Sequence, residues 1–291
     1  MIKNQKTATA FALLAVLMWS TVATAFKITL THFSALQMLL VSSLVSCLVL
    51  IFICYHQKKL TLLKDNFLKK PSFYLLMGAI NPFLYYLLLF QAYDLLPAQQ
   101  AQSLNYTWAI TLSLLAVPVL GHKLRRNDII AILLGYLGAL IIATKGDLLT
   151  LSFDNPIGVL LALLSTLLWA CYWIFNSKND AEPITSLLLC FLCSLPMILM
   201  TVVIFDDIAM TSWKGWLGAA YIGLFEMGLA FVAWLTALKY AESTSKISNL
   251  IFISPFVSLL LLSQIIGESI YPATIIGLIL IILGLLIQKI K

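Results

Sequence analysis

Long, uninterrupted apolar runs recur ten times along this chain, separated by short polar connectors. They cover residues 8–26, 34–55, 72–91, 98–118, 127–144, 157–176, 184–205, 213–238, 243–265 and 272–289. A helix needs about 20 apolar residues to cross a bilayer, within a range of roughly 17–25. No water is available in the hydrocarbon to satisfy backbone groups, so a spanning element is a helix or a strand of a closed barrel. Barrel strands alternate apolar and polar residues, and these runs do not. The chain is 62% hydrophobic and 10% charged, with a mean hydropathy of +1.00. Soluble domains average about 45–50% apolar and about 25% charged residues. The sequence therefore predicts an all-α integral membrane protein with ten transmembrane helices. Pro71, Pro97, Gly121, Asn155-Pro156, Pro183 and Pro272 punctuate the connectors. No connector is long enough for a separate soluble domain.

The net charge of +6 does not point to nucleic acid, because the basic residues sit in short loops between spans. If the loops are assigned alternately to two sides, Lys27, Lys145 and Lys214 fall on one side. The remaining 15 of the 18 basic residues (18 − 3) fall on the side holding both termini. The positive side of such a protein faces the cytoplasm. Both termini are therefore expected inside, in a multi-pass protein of the cell inner membrane. Lys3, Lys6 and Ala23-x-Ala25 imitate a cleavable signal peptide, but the internal repeat needs this first helix.

The two halves resemble each other. Ala12-Leu13-Leu14 running to Trp19 matches Ala162-Leu163-Leu164 running to Trp169, an offset of 150. An offset of 145 pairs Gly78 with Gly223, Asn81 with Glu226 and Ala92 with Ala237. An offset of 146 pairs Gly121 with Gly267 and Gly138 with Gly284. The expected organisation is a five-helix repeat over 1–146 and a second over 147–291. Five is odd, so the second repeat enters the membrane from the opposite side. Inverted repeats of this kind build many secondary transporters, with substrate bound near the midplane. Duplication can also build channels or inert scaffolds.

Polar residues inside the spans are the candidates for a site. Glu226 is the only acidic residue well inside a span. A charge at that depth costs about 2.5–3.5 kcal/mol on insertion scales, so it faces the protein interior. Ala219, Gly223, Ala230, Ala233 and Ala237 share its face. Glu226 reads either as a protonation and coupling group that can also counter a substrate amine, or as a carboxyl hydrogen-bonded between helices. Its repeat partner Asn81 precedes Pro82, which removes a helical hydrogen bond and kinks the span. Tyr85 lies one turn on. Gln99, Gln102, Asn105 and Tyr106 recur at three- and four-residue steps and form one polar face. The matching stretch of span nine holds Ser245, Ser248, Asn249, Ile251 and Phe252. Trp19 and Trp169 fall near mid-span, where an indole N–H needs a partner. The expected substrate-binding set is Trp19, Asn81, Tyr85, Gln99, Gln102, Asn105, Tyr106, Trp169, Asn249 and Phe252. Interhelical hydrogen bonding and packing are the alternative for each of them.

Other patterns carry less. Cys190-x-x-Cys193 has redox-motif spacing but lies inside a span, which suits packing. His32, His56 and His122 are separate loop residues without metal-ligand spacing. Ala131, Gly135 and Ala139 make a small-residue stripe suited to helix packing. No nucleotide-binding loop or hydrolase motif appears, so neither cofactor nor metal is expected. Nor is an enzymatic activity.

Several stretches carry a family resemblance: Trp19-Ser20-Thr21, Leu104-Asn105-Tyr106-Thr107-Trp108, Ala237-Leu238-Lys239-Tyr240, and Ser248 through Phe256 closing on Gly267-Glu268. Together they resemble the ten-helix, EamA-type members of the drug/metabolite transporter superfamily, across essentially the whole chain. The Asn-Tyr-x-Trp run is similar to one in bacterial aromatic amino acid exporters of that superfamily. Those commonly follow the Trp with Pro, where Ala109 stands here. The resemblance implies export of small metabolites, such as amino acids or related amphiphilic solutes, or of drugs, through a central cavity. The expected partners are a small-molecule substrate, the lipid bilayer and, in a coupled mechanism, protons. The expected state is a monomer or weak homodimer. A membrane-embedded lipid-modifying enzyme and a passive channel remain the alternatives.

Overall fold

In a computed structural model, residues 3–121 and 125–289 are described, apart from the side chains of Thr244 and Ser245. His122 and Lys123 thus lie outside the described residues, as does the Ser245 side chain. Every regular element among the described residues is helical. Among the described residues, nine helical segments are long and apolar enough to cross a membrane. They run Gln5–Leu30, Ala35–His56, Pro71–Leu95, Ala98–Leu120, Arg126–Ala143, Pro156–Asn176, Pro183–Phe205, Trp213–Tyr240 and Lys246–Ile266. A shorter apolar helix, Pro272–Gln288, completes the ten expected segments.

Local chemistry sets the helix ends. Pro71, Pro156, Pro183 and Pro272 each open a helix, where the missing N–H has no intrahelical partner to lose. The Asn4, Ser34, Asn155 and Ser212 side chains accept hydrogen bonds from first-turn N–H groups. At Gly121 and Gly267 the chain turns with φ of +70° and +75°, a left-handed conformation that favours glycine. The connector over 56–71 holds a further helix, Thr61–Lys69, that hydropathy alone does not signal.

Two compact units divide the chain. One comprises Met1–Phe83 and Ala181–Ile266, the other Leu84–Asp180 and Gly267–Lys291. In the first unit, span one packs antiparallel on span eight through small residues. Ala8 and Ala12 meet Ala237 and Ala241, and Ala15 meets Ala230 and Ala233. Gly78 lets span three approach the Cys190 carbonyl and Cys193 of span seven. Cys193 is thus a packing residue, and neither cysteine of the pair forms a disulfide among the described residues. Gly223 brings span eight against the Ser42 carbonyl of span two.

In the second unit, spans five and ten cross where Gly138 and Gly277 face each other's carbonyl oxygens. Gly284 sits on the Ala131 backbone, and Gly135 leaves room for Ile110. The small stripe of span five is thus a packing seam. Without competing hydrophobic drive in lipid, close backbone approach of this kind is what holds spans together.

Candidate functional site

Four spans depart from regular α-helix within their length, and the departures fall on or beside polar residues. Span three is α-helical to Gly78, passes through a wide turn over Ala79–Leu84, and resumes at Tyr85. Inside that turn Asn81 is extended, with φ −143° and ψ 121°. Pro82 explains the opening, since it offers no N–H and its ring clashes with the preceding turn. Span eight stays helical but widens to π geometry over Ile222–Leu229, which contains Glu226. Ser46 of span two donates to the Met227 carbonyl there at 3.0 Å. Span four breaks between Asn105 and Trp108. At the matching place span nine tightens into a 3-10 turn, Leu250–Ile253.

The first unit holds Trp19, Asn81, Glu226, Asn249 and Phe252. Asn81 is 1% exposed, and neither its amide nitrogen nor its amide oxygen has a hydrogen-bond partner among the described residues. Burying such a group without partners costs on the order of 1–3 kcal/mol. Glu226 is 8% exposed. Trp19 is half-buried and packs against Phe231 and Trp234 of span eight, with ring centroids 5.8 and 5.5 Å away. Two residues further along span one, Thr21 bonds the Tyr221 hydroxyl at 2.7 Å. Phe252 is half-buried and Asn249 is exposed. Thr24, Ser43, Ser254 and Ser258 add buried hydroxyls without a partner among the described residues. Sequence periodicity passed over these four, although Ser254 and Ser258 stand one turn apart.

The second unit holds Tyr85, Gln99, Gln102, Asn105, Tyr106 and Trp169. Tyr85 stacks on Trp169 with centroids 4.5 Å apart. Trp108, Tyr172 and Trp173 complete a cluster around the same indole, at 6.4, 5.8 and 5.9 Å. Asn105 donates to Ser165 at 3.1 Å. Gln102 is buried, and its amide oxygen has no partner among the described residues. Tyr106 is half-buried.

Gln99 differs from the rest of that face. Its nitrogen donates to the Ser269 carbonyl at 2.7 Å, and its oxygen accepts from Tyr271 N and Thr274 Oγ1, both at 2.8 Å. The backbone N–H groups of Ala98 and Gln99 bond the Glu268 carboxylate at 3.1 Å each. An acid at a helix N-terminus satisfies donors that the helix leaves open. The Gln99 side chain thus latches span four to the 268–274 segment, and its bonding groups face the fold. Leu112 of span four lines a cavity of about 620 Å³ within this unit. Among the described residues, no group of three or more His, Cys, Asp or Glu side chains could hold a metal ion.

This architecture is that of a multi-pass, all-helical membrane protein with interrupted helices carrying buried polar groups at mid-span. The sequence pattern of the EamA-like transporter family matches residues 6–144 and again 156–288. The chain belongs to that family, within the drug/metabolite transporter superfamily, and is a membrane transporter. Among curated proteins it is 26% identical over 204 residues to an uncharacterized transporter, "in sor 3'region", of Acidianus ambivalens. That match covers 69% of this chain and 78% of the relative. It is 24% identical over 179 residues to an uncharacterized transporter of Clostridium kluyveri, covering 58% of this chain and 56% of that one. A solved crystal structure superimposes with a TM-score of 0.69 at 19% identity, over 98% of this chain and 97% of that chain. At that identity the likeness speaks to the fold alone.

Proposed function

We propose that this transporter exports small amphiphilic metabolites, such as amino acids or related solutes, or drugs, from the cytoplasm in exchange for protons. The observation that carries the reading is the Asn81 side chain, buried with both ends of its amide unpartnered. One amide offers a donor and an acceptor, which suits a solute that carries both. Glu226, buried in the same unit, is the group that proton and substrate occupy in turn. Intramembrane acids are functional by default. Within the same unit, the aromatic faces of Trp19, Phe231 and Trp234 suit the apolar part of the solute. The two family matches support the arrangement as two inverted five-helix repeats, 1–146 and 147–291. With 15 of the 18 basic residues on the side of the termini, that side is the cytoplasmic face of the cell inner membrane.

Transport into proteoliposomes, measured against pH for wild type and Glu226→Gln, tests the coupling. A substrate panel in export-deficient cells first supplies the solute. Glutamine keeps size and hydrogen bonding but cannot titrate. The variant is expected to insert normally and lose the pH dependence, while exchange at equal pH on both sides survives. Identical rates and pH profiles for the two proteins would make Glu226 a structural hydrogen-bonder. Reporter fusions at residues 64 and 291 should read cytoplasmic and one at residue 150 external. The opposite pattern overturns the orientation.

A further inference from the structure

The 620 Å³ cavity of the second unit is lined by residues outside the polar mid-span set and meets that set only through Trp173 of the Trp169 cluster. Its depth is apolar, lined by Leu112, Val117 and Leu120 of span four and Ile174 of span six. Leu112 to Leu120 is eight residues of helix, about 12 Å. One leaflet contributes about half of a roughly 30 Å hydrocarbon core. The cavity therefore runs much of the depth of a leaflet. Its mouth is polar, with Arg125, Asp128, Ser177 and Gln288 at the ends of three helices.

Charge at that mouth is positive. Asp128 is held by the Arg125 backbone N–H at 2.8 Å and by Arg125 Nε at 3.3 Å. Arg125 Nη2 donates to the Gln288 carbonyl at 3.1 Å. A guanidinium has five N–H donors, so donors remain after these bonds, and the group is largely exposed. Arg126 follows it in the chain, and Lys178 reaches the Val119 carbonyl at 3.5 Å on the same rim. Two cations, Arg125 and Lys178, thus stand at this rim, where Asp128 is the one carboxylate among the lining residues. About one turn deeper than Ser177, the indole nitrogen of Trp173 is buried and has no acceptor among the described residues. A buried donor of this kind normally finds a partner.

We propose that this cavity seats one chain of an anionic phospholipid. Its phosphate meets Arg125, an ester oxygen accepts from Trp173 Nε1, and the acyl chain follows the Leu112–Leu120 wall. Arg125 and Lys178 disfavour a headgroup carrying its own ammonium, which selects anionic over zwitterionic lipid. The bilayer already supplies the apolar chain, and guanidinium supplies directional bonds to phosphate oxygens. The seat is independent of which solute the transporter moves.

Native mass spectrometry of the full-length protein in detergent tests it. Phosphatidylglycerol and phosphatidylcholine of identical chains serve as probes, with millimolar inorganic phosphate as competitor. One phosphatidylglycerol should be retained over phosphatidylcholine. Arg125→Gln should lower that retention about fivefold, the effect of about one basic contact with an anionic lipid surface. Lys64→Gln, which removes an equal charge outside the cavity, should leave it unchanged. Leu112→Trp, which fills the cavity but keeps Arg125, should also reduce it. Equal retention of the two lipids overturns the proposal, as do equal effects of Arg125→Gln and Lys64→Gln. Displacement by inorganic phosphate would make the mouth a free-anion site and overturn it too.

Discussion

Gln99 and Asn81 are both buried side-chain amides, each in a different compact unit, and their hydrogen-bonding conditions are opposite. Gln99 makes three side-chain bonds to a segment about 170 residues away. Asn81 makes none among the described residues. Gln99 sits in the first turn of a regular helix, where loops come close enough to offer partners. Asn81 sits where a span opens near its middle, buried and away from the loops. A polar group that the fold uses completely stabilises the fold. One that the fold buries and leaves open costs stability, and we propose that Asn81 is kept for what it can bind. On that proposal the contrast separates structural from functional polarity within one membrane protein.

The sharpest way to break the contrast is to remove the saturated amide. Gln99→Leu deletes three bonds and strands the Tyr271 N–H and Thr274 hydroxyl. It should lower unfolding stability in detergent by about 2–4 kcal/mol, taking about 1 kcal/mol per bond plus the stranded donors. A denaturant midpoint equal to wild type would show that the latch holds nothing.

A smaller loss is expected from the glycines that place the two interrupted spans. A Cβ on Gly223 would stand 2.3 Å from the Ser42 carbonyl oxygen and 2.8 Å from Val45 Cβ. On Gly78 it would stand 2.5 Å from the Cys190 carbonyl oxygen. Alanine at either should cost about 1–3 kcal/mol through overpacking, with Gly223→Ala the worse. Thermal unfolding of both variants checks the order.

Asn81→Leu should move stability the other way. Replacing an unpartnered buried amide by an apolar side chain of similar size removes a desolvation penalty, so the variant should gain about 1 kcal/mol. Transport should fall at the same time. A variant that is less stable and still active would place Asn81 among the structural amides, beside Gln99.

The smallest effect belongs to an ion pair just beyond span five. Lys145 bonds Asp154 at 2.5 Å and lies 4.8 Å over the Tyr271 ring. The hydrogen bond to the Asp154 carboxylate raises the lysine above its ordinary value. A group raised on folding stabilises the protein below its unfolded value and loses that contribution as pH rises through the folded one. Both side chains are more than a third exposed, so the pair contributes about 0.2–1 kcal/mol. The stability gap between wild type and Lys145→Met should hold constant at neutral pH. It should close above the ordinary lysine value of 10.5. A gap that persists at high pH would assign the effect to packing on Tyr271.

Much of this fold is legible in the sequence because bilayer thickness imposes one length on every span. The expected 157–176 and 184–205 become Pro156–Asn176 and Pro183–Phe205, since a proline marks each start. The first span runs beyond 8–26 to Gln5–Leu30 because Asn4 caps it three residues earlier. Thr61–Lys69 was read as loop, because nine residues with few apolar positions give no hydropathy signal. The opening at Asn81 was legible through Pro82. The widening around Glu226 was not, because no residue type demands it. The Gln99 latch was hidden for a different reason. Periodicity reports which face of a helix is polar, and it says nothing about what a distant loop brings to that face.

The widened stretch of span eight has a consequence for how such a chain can change in length. A π turn accommodates a residue more than its rise requires. One deletion within Ile222–Leu229 can therefore be absorbed by tightening to α geometry, leaving both flanking faces in place. One deletion elsewhere in Trp213–Tyr240 would rotate every residue beyond it by about 100°. It would turn the alanine seam that packs on span one toward lipid. Span eight is thus a rod with one slack link, and the candidate coupling acid is mounted in that link.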